Sequence, residues 1–306
     1  MALTRWRPSS VVVVTVLSVV IGFIAGQASA VLDNQTGQVT VFWGRHKDEG
    51  SLREACDSGM YTMVVMSFLN VDGPGRYHLN LSGHPLDAIA GDIKHCQQVG
   101  VPVSLSVTGN ASSLPTNQSA LDLFDHLWNA YLAGTKNGVR RPFGDAQLDG
   151  VDLFLEPGTP MEHYNVLARE LSKHNISGDT GRKPLHLTAT PHCGFLRHRR
   201  VGGEVLATGI FERIHVRFYD DNDDHDCDKY NEEEWDKWTA TFPSTRIYLG
   251  LPASPEASKE GYLYPKSLYY GVLPVVQMAA NHGGVMLWDR YYDKRSSYSS
   301  YVKRWA

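Results

Sequence analysis

The chain has 306 residues, 42% hydrophobic and 20% charged, enough apolar content for a large folded core and too much for a disordered chain. Its 33 acidic against 29 basic residues leave a formal charge of −4, which excludes a global nucleic-acid surface. Beyond residue 30 no apolar run is long enough to cross a bilayer as a helix, and an uncleaved anchor at the N-terminal apolar run is the competing reading to a soluble mature chain.

In chain order, Arg5 and Arg7 come first, followed by an apolar run over 11–24 and a small-residue cleavage site, Ala28-Ser29-Ala30. This predicts a secretory signal peptide over 1–30 and a secreted mature chain over 31–306. The leader holds two arginines and no acid, so its removal takes the formal charge from −4 to −6. Cys56, Cys96, Cys193 and Cys227 all lie in the mature part. In a secreted protein they predict two disulfides, and three connectivities are open. A zinc site from His192, Cys193, His225 and Cys227 is the competing reading, which an oxidising compartment disfavours. Sequons at Asn34, Asn80, Asn110, Asn117 and Asn175 are candidate glycosylation sites.

Eight short β-prone runs follow one another, over 39–43, 62–68, 103–107, 150–156, 185–189, 214–219, 247–251 and 285–288. Helical patterns separate most of them. Leu86, Ile89, Ile93 and Cys96 recur at helical spacing over 86–98, and Leu121, Phe124, Leu127, Trp128 and Tyr131 over 120–132. Thr159-Pro160-Met161-Glu162 is a capping box with proline at the first helical position, opening a helix to about His174. Asn231 with Glu234 opens another that carries Trp235 and Trp238. Strands alternating with helices predict parallel pairing, and eight repeats in this length predict one closed (β/α)8 TIM barrel over 31–306. In such barrels functional groups sit at the C-terminal ends of strands. Glu156 ends the fourth run, Tyr219 the sixth and Trp288 the eighth.

Within the fourth run, Asp149-Gly150-Val151-Asp152-Leu153-Phe154-Leu155-Glu156, residues two apart share a face. Asp152, Phe154 and Glu156 point into the barrel, and Val151, Leu153 and Leu155 toward the helices. The segment resembles the Asp-Gly-x-Asp-x-Asp-x-Glu signature of family 18 glycoside hydrolases. Val41-Phe42-Trp43-Gly44, Glu49-Gly50-Ser51-Leu52, Phe218-Tyr219 and Gly283-Gly284-Val285-Met286-Leu287-Trp288 extend the resemblance to class III plant chitinases. Within that group the chain is most similar to the cereal xylanase inhibitor proteins, chitinase homologues without chitinase activity whose signature also reads Asp-Gly-Val-Asp-Leu-Phe-Leu-Glu.

The resemblance implies that Glu156 stands at the general acid and Phe154 where an Asp would accept the substrate's acetamide N–H. The family 18 mechanism is substrate-assisted, so that Asp is needed to orient the acetamide and to balance the positive charge that develops. A phenyl ring does neither, and loss of one such partner costs about 10²–10³ in rate. Two more departures are Ser106-Val107-Thr108-Gly109 in place of Ser-x-Gly-Gly, and Pro157 after the acid. The implication is no chitinase activity, with Asp149, Asp152 and Glu156 vestigial, Phe154 disabling, and Tyr219 and Trp288 a vestigial sugar pocket. The resemblance also favours the pairing Cys56–Cys96 and Cys193–Cys227.

Two docking surfaces follow from the same resemblance, and the implied partners are fungal xylanases bound by a monomer. For family 10 xylanases the contact is Lys266 with Tyr264, in Tyr262-Leu263-Tyr264-Pro265-Lys266-Ser267. For family 11 it is the loop over 173–183. There Ser177 replaces an arginine and completes a sequon, leaving Arg182 and Lys183 as the basic candidates. Arg197-His198-Arg199-Arg200 is a third basic surface. Asp220, Asn222 and Asp224 imitate a calcium loop, but His225 and Asn231 stand where it needs Gly and Glu, so neither metal nor other cofactor is expected. A chitin-oligosaccharide lectin and a weak chitinase are the alternative functions.

Overall fold

The computed structural model describes residues 37–109, 113–156, 163–174, 184–198, 204–219, 227 and 229–306. The predicted leader, Asn34, Asn110, Pro157, the capping box at 159–162, and Asn175, Ser177, Arg182 and Lys183 of the loop lie outside the described residues. So do Arg199, Arg200, Asp220, Asn222, Asp224 and His225.

Eight parallel strands close into a barrel, as the alternation of patterns predicts. They are β1 (Val39–Trp43), β2 (Met63–Gly73), β4 (Val103–Gly109), β5 (Gly150–Leu155), β6 (His186–Pro191), β7 (Arg213–Arg217), β8 (Arg246–Pro252) and β9 (His282–Trp288). Closure is at β1, which pairs in parallel with β2 (Val41 beside Val64) and with β9 (Val41 beside Leu287). β3 (Arg76–Leu79) is an added strand, antiparallel to the end of β2. Gly73 and Gly75 take positive φ at this hairpin, flanking Pro74, and the Pro-Gly pair is its turn signal.

Each strand has two faces with different fates, because side chains alternate. Val41, Leu105, Val151, Leu153, Leu187, Val216 and Leu249 join the main core between sheet and helices. A separate small cluster fills the barrel interior: Phe42, Met63, Val65, Phe68, Phe154, Tyr219, Tyr248 and Met286, with Trp288 packed on it. At the entry of β5 the strands crowd, and a side chain on Gly150 would collide with the Ser104 hydroxyl and the His186 carbonyl. Glycine in the Asp-Gly pair is therefore a packing requirement.

The helices form from the signals their sequences carry. α1 (Leu52–Asp57) is capped by the Ser51 side chain, which accepts from the Glu54 N–H. α2 (Leu86–Gln98) buries Ile89, Ile93 and Cys96. α3 (Asn117–Ala130) starts earlier than the apolar spacing predicts, because Thr116 and Ser119 make a reciprocal capping box. α4 (Tyr164–Ser172) buries Tyr164, Leu167 and Leu171. α5 (Glu232–Thr241) is capped by Asn231, as expected, and buries Trp235 and Trp238. A helical stretch over 265–276 is α at its ends, α6 (Pro265–Ser267) and α7 (Leu273–Val276), and π in between at Leu268–Val272. Pro274 lacks an N–H and clashes with the carbonyl four residues back, and the wide π turn accommodates it. α8 (Arg290–Ser296) and α9 (Tyr298–Val302) close the chain.

Both disulfides form with the favoured pairing. Cys56–Cys96 ties α1 to α2 with a Cα separation of 5.4 Å, and Cys193–Cys227 spans 5.7 Å. That pairing removes the two sulfurs the zinc reading needed. Among the described residues no group of His, Cys, Asp and Glu is arranged to hold a metal ion, and no helix is long and apolar enough to cross a membrane.

Candidate functional site

β5 delivers its side chains as the alternation predicts. Asp152 points into the barrel and is fully buried. Its Oδ2 accepts from Ser106 Oγ at 2.7 Å on β4, and its Oδ1 accepts from Thr188 Oγ1 at 2.7 Å and Thr190 Oγ1 at 2.8 Å on β6. His215 Nδ1 on β7 lies 3.7 Å from the same Oδ1. Burial pushes the His215 pKa down, against the pull of the Asp152 carboxylate. Both Asp152 oxygens are thus satisfied by hydroxyls from β4 and β6, and Thr190 Oγ1 passes the network on to His215 Nδ1 at 3.2 Å on β7, which is how a buried carboxylate is tolerated; His215 Nε2 has no partner among the described residues.

One step up the strand, Phe154 fills the centre of the rim. It packs edge-on against Phe42 (centroids 5.9 Å apart) and Phe68 (4.9 Å), and lies 5.9 Å from Trp288. The Arg217 guanidinium carbon stands 4.1 Å above the ring centroid, a cation–π contact at a side chain only 2% exposed. Arg217 Nη2 also donates to Glu156 Oε2 at 3.0 Å and to the Leu155 carbonyl at 3.1 Å. The side chain in the acid position is therefore held by a guanidinium, and that guanidinium lies over the phenyl ring where the resemblance puts an Asp. Glu156 itself remains 35% exposed at the mouth.

Arg217 is the residue the sequence analysis missed. Its signal was available: His215 and Arg217 alternate on β7 and Tyr219 follows two residues beyond the strand's end, so a run that aims Tyr219 at the rim aims Arg217 one layer below it. Asp149 is separate from this site. It precedes β5 at the opposite end of the barrel, where its Oδ2 accepts from the Val103 N–H at 2.8 Å and Gln97 Nε2 at 3.0 Å. It is a strand-entry clamp between β4 and β5, and its odd position in the alternation puts it off the Asp152 face.

Tyr219 and Trp288 do converge at the mouth, with centroids 6.4 Å apart. A cavity of about 220 Å³ opens there, lined by Arg45, Phe68, Phe154, Glu156, Arg217, Tyr219 and Trp288 from the barrel, and Ala257 and Ser258 from the loop after β8. Thr108, the second departure, is half-buried near the end of β4. Glu49 is buried under the β1 loop, where its Oε1 accepts from the Gly44 and His46 N–H groups and pairs with His84 Nε2 at 3.1 Å. It organises the backbone of this loop.

The described docking residues, Tyr264 and Lys266, are not among those that line the cavity at the barrel mouth. Tyr264 is 68% exposed at the start of α6, with Lys266 exposed two residues on. Tyr262 props Tyr264 (centroids 5.2 Å) and itself rests on Tyr298 (5.3 Å). Between 261 and 288 there is no Asp, Glu or Arg, so Lys266 is the one Lys of a stretch that also carries Tyr262, Tyr264, Tyr269 and Tyr270. Of the described sequons, Asn80 and Asn117 are both exposed, Asn117 with its Oδ1 2.8 Å from His163 Nδ1.

Comparison with known proteins fits this geometry. Residues 38–263 match the sequence profile of glycosyl hydrolases family 18. The chain is 58% identical to Xylanase inhibitor protein 1 of Triticum aestivum over 95% of each chain. It is 48% identical to Xylanase inhibitor protein 1 of Oryza sativa subsp. japonica, over 98% of each. Among solved structures, the xylanase and alpha-amylase inhibitor protein XAIP-II of Scadoxus multiflorus superposes with a TM-score of 0.76 at 34% identity, covering 87% of this chain and 97% of that one.

Proposed function

The chain belongs to glycosyl hydrolases family 18 and groups with its xylanase inhibitor proteins, and from that premise we propose that it is a secreted inhibitor of fungal endo-1,4-β-xylanases that does not hydrolyse chitin. The observation that carries the second half is the Arg217–Glu156 pair closed over Phe154. Substrate-assisted cleavage needs an acceptor for the acetamide N–H beside a free general acid. Here the acceptor position is a ring capped by a cation, and the acid is tied to that cation. The signal-like leader and the two disulfides support an extracellular site of action, and xylanase blockade there would serve plant defence.

For the first half, the surface at Lys266 and Tyr264 supports family 10 xylanases as the targets. An exposed ammonium two residues from a braced, exposed tyrosine suits a catalytic cleft lined by paired carboxylates. The family 11 reading depends on Ser177, Arg182 and Lys183, where the arginine of the resemblance is gone. A chitin-oligosaccharide lectin is the weaker reading, because Phe154 offers nothing to an acetamide. Titrating the purified mature chain against one family 10 and one family 11 xylanase, with a parallel chitin-oligomer release assay, separates the readings. Turnover of chitin within tenfold of a class III chitinase overturns the non-catalytic half, and unimpeded family 10 activity overturns the targeting half.

A further inference from the structure

The cavity at the rim brings an orphaned polar group, a cation and an aromatic wall into one small space. Ser258 lines it, is 5% exposed, and its Oγ has no hydrogen-bond partner among the described residues. Leaving a buried hydroxyl without a partner is costly, so the site gains from a polar ligand atom at that point. Arg45 also lines the cavity. Its guanidinium carbon lies 5.2 Å from the Phe68 centroid, and among the described residues no carboxylate forms an ion pair with it. Trp288, half-buried, is stacked on Phe68 (25° between planes, 6.1 Å between centroids), and both rings border the cavity as its apolar side.

The volume of about 220 Å³ is below the range of about 300–1,000 Å³ typical of drug-sized ligands, so the occupant is a single ring. A pyranose has one apolar face of C–H groups, which suits an indole, and hydroxyls that can donate to Glu156 and meet Ser258. Arg45 donates only, and a guanidinium is best satisfied by a carboxylate through two parallel hydrogen bonds. We propose that this cavity is a binding site for a uronic acid, a single pyranose bearing a carboxylate, with Arg45 on the carboxylate, Ser258 on a ring hydroxyl and Trp288 against the ring. An N-acetyl sugar fits less well because the Phe154 ring supplies no acceptor for the amide. The site is independent of xylanase inhibition, and neither reading needs the other.

The test is titration of the full mature chain with D-glucuronate, read by tryptophan fluorescence and by calorimetry. D-Glucose is the neutral counterpart, acetate the carboxylate without a ring, and N-acetylglucosamine the amide sugar. Glucuronate is expected to bind at least tenfold more tightly than each of the three, and to weaken as salt is raised. Arg45→Gln should bring glucuronate down to the level of glucose, while Arg45→Lys keeps part of the preference. Ser258→Ala should weaken glucuronate and glucose alike, by severalfold. The proposal is overturned if glucuronate fails to bind saturably, or if glucose, acetate or N-acetylglucosamine binds as tightly. It is equally overturned if the preference survives Arg45→Gln in a folded protein.

Discussion

Arg217→Met is the substitution that probes the closed rim most sharply. Methionine keeps the length and apolar stem but removes the guanidinium. Among the interactions that go are the cation–π contact at 4.1 Å, the hydrogen bond to the Leu155 carbonyl and the ion pair with Glu156. A desolvated cation–π contact is worth about 2 kcal/mol, and the hydrogen bond about 1 kcal/mol. Breaking a fully buried pair costs about 3–5 kcal/mol, mostly through the orphaned partner. Glu156 is 35% exposed and rehydrates, so that contribution shrinks to about 1 kcal/mol or less. Methionine packing against the rings returns part of the loss. The expected net destabilisation is about 2–3 kcal/mol, which at about 2–4 °C per kcal/mol for a domain of this size lowers the midpoint by roughly 5–10 °C. Calorimetric or circular-dichroism melts measure it. A double-mutant cycle with Glu156→Gln isolates the pair and should give a coupling of about 0.5–1 kcal/mol. A midpoint within 1 °C of the parent would refute the reading that Arg217 holds the rim together, and a coupling of zero would refute the ion pair. Neither variant should gain chitinase activity, since Phe154 is unchanged in both.

Lys266→Ala should weaken family 10 xylanase inhibition at least tenfold, because removing one charge of a buried interfacial pair costs about 2–5 kcal/mol; unchanged inhibition in a steady-state assay would move the contact elsewhere. Phe154→Asp should leave chitin-oligomer release more than tenfold below a class III chitinase, since the new carboxylate meets Arg217 and Thr108 still departs from the pattern. Full release on this single change would show that the other departures are neutral. Asp289 gives a pH signature: burial, and the nearby Glu49 carboxylate, push its pKa up to about 7. The folded state then holds a proton that the unfolded chain releases near 4, so this group's contribution to stability is present at low pH and is lost as pH rises from about 4 to about 7. Asp289→Asn, which keeps a side-chain oxygen to cap the Tyr291 and Tyr292 N–H groups, should gain stability relative to the parent across that window; equal pH profiles in urea titrations would contradict the assignment. Reducing Cys56–Cys96 should cost about 2–4 kcal/mol in the loop-entropy picture, seen as a lower melting point in the double Cys→Ser variant, and an unchanged midpoint would show the bridge to be idle.

The barrel was legible because each strand's alternation and each helix's spacing agree with it. The inward set on β5 followed from parity alone, and Asn231 announced α5 through its capping chemistry. What escaped was decided between segments. β3 is too short and too exposed to carry an apolar signature, and only its Pro-Gly turn marked it. Asp149 stands in the signature with the catalytic acids, yet it lies at the other end of a strand and serves its neighbour's backbone. Arg217 looked like a polar residue beside the recognisable Phe218-Tyr219, and its meaning appears only when β5 and β7 are brought together across the barrel. Ser258 and Arg45 meet at the cavity from loops more than two hundred residues apart in sequence, a contact that no local pattern encodes.

The most direct test of the central claim is the residual activity of a family 10 endo-1,4-β-xylanase titrated with the purified mature chain. Saturable loss of activity to near completion is expected, relieved by Lys266→Ala, with no chitin oligomers released by the same preparation. Full xylanase activity at a large molar excess of the chain would contradict it.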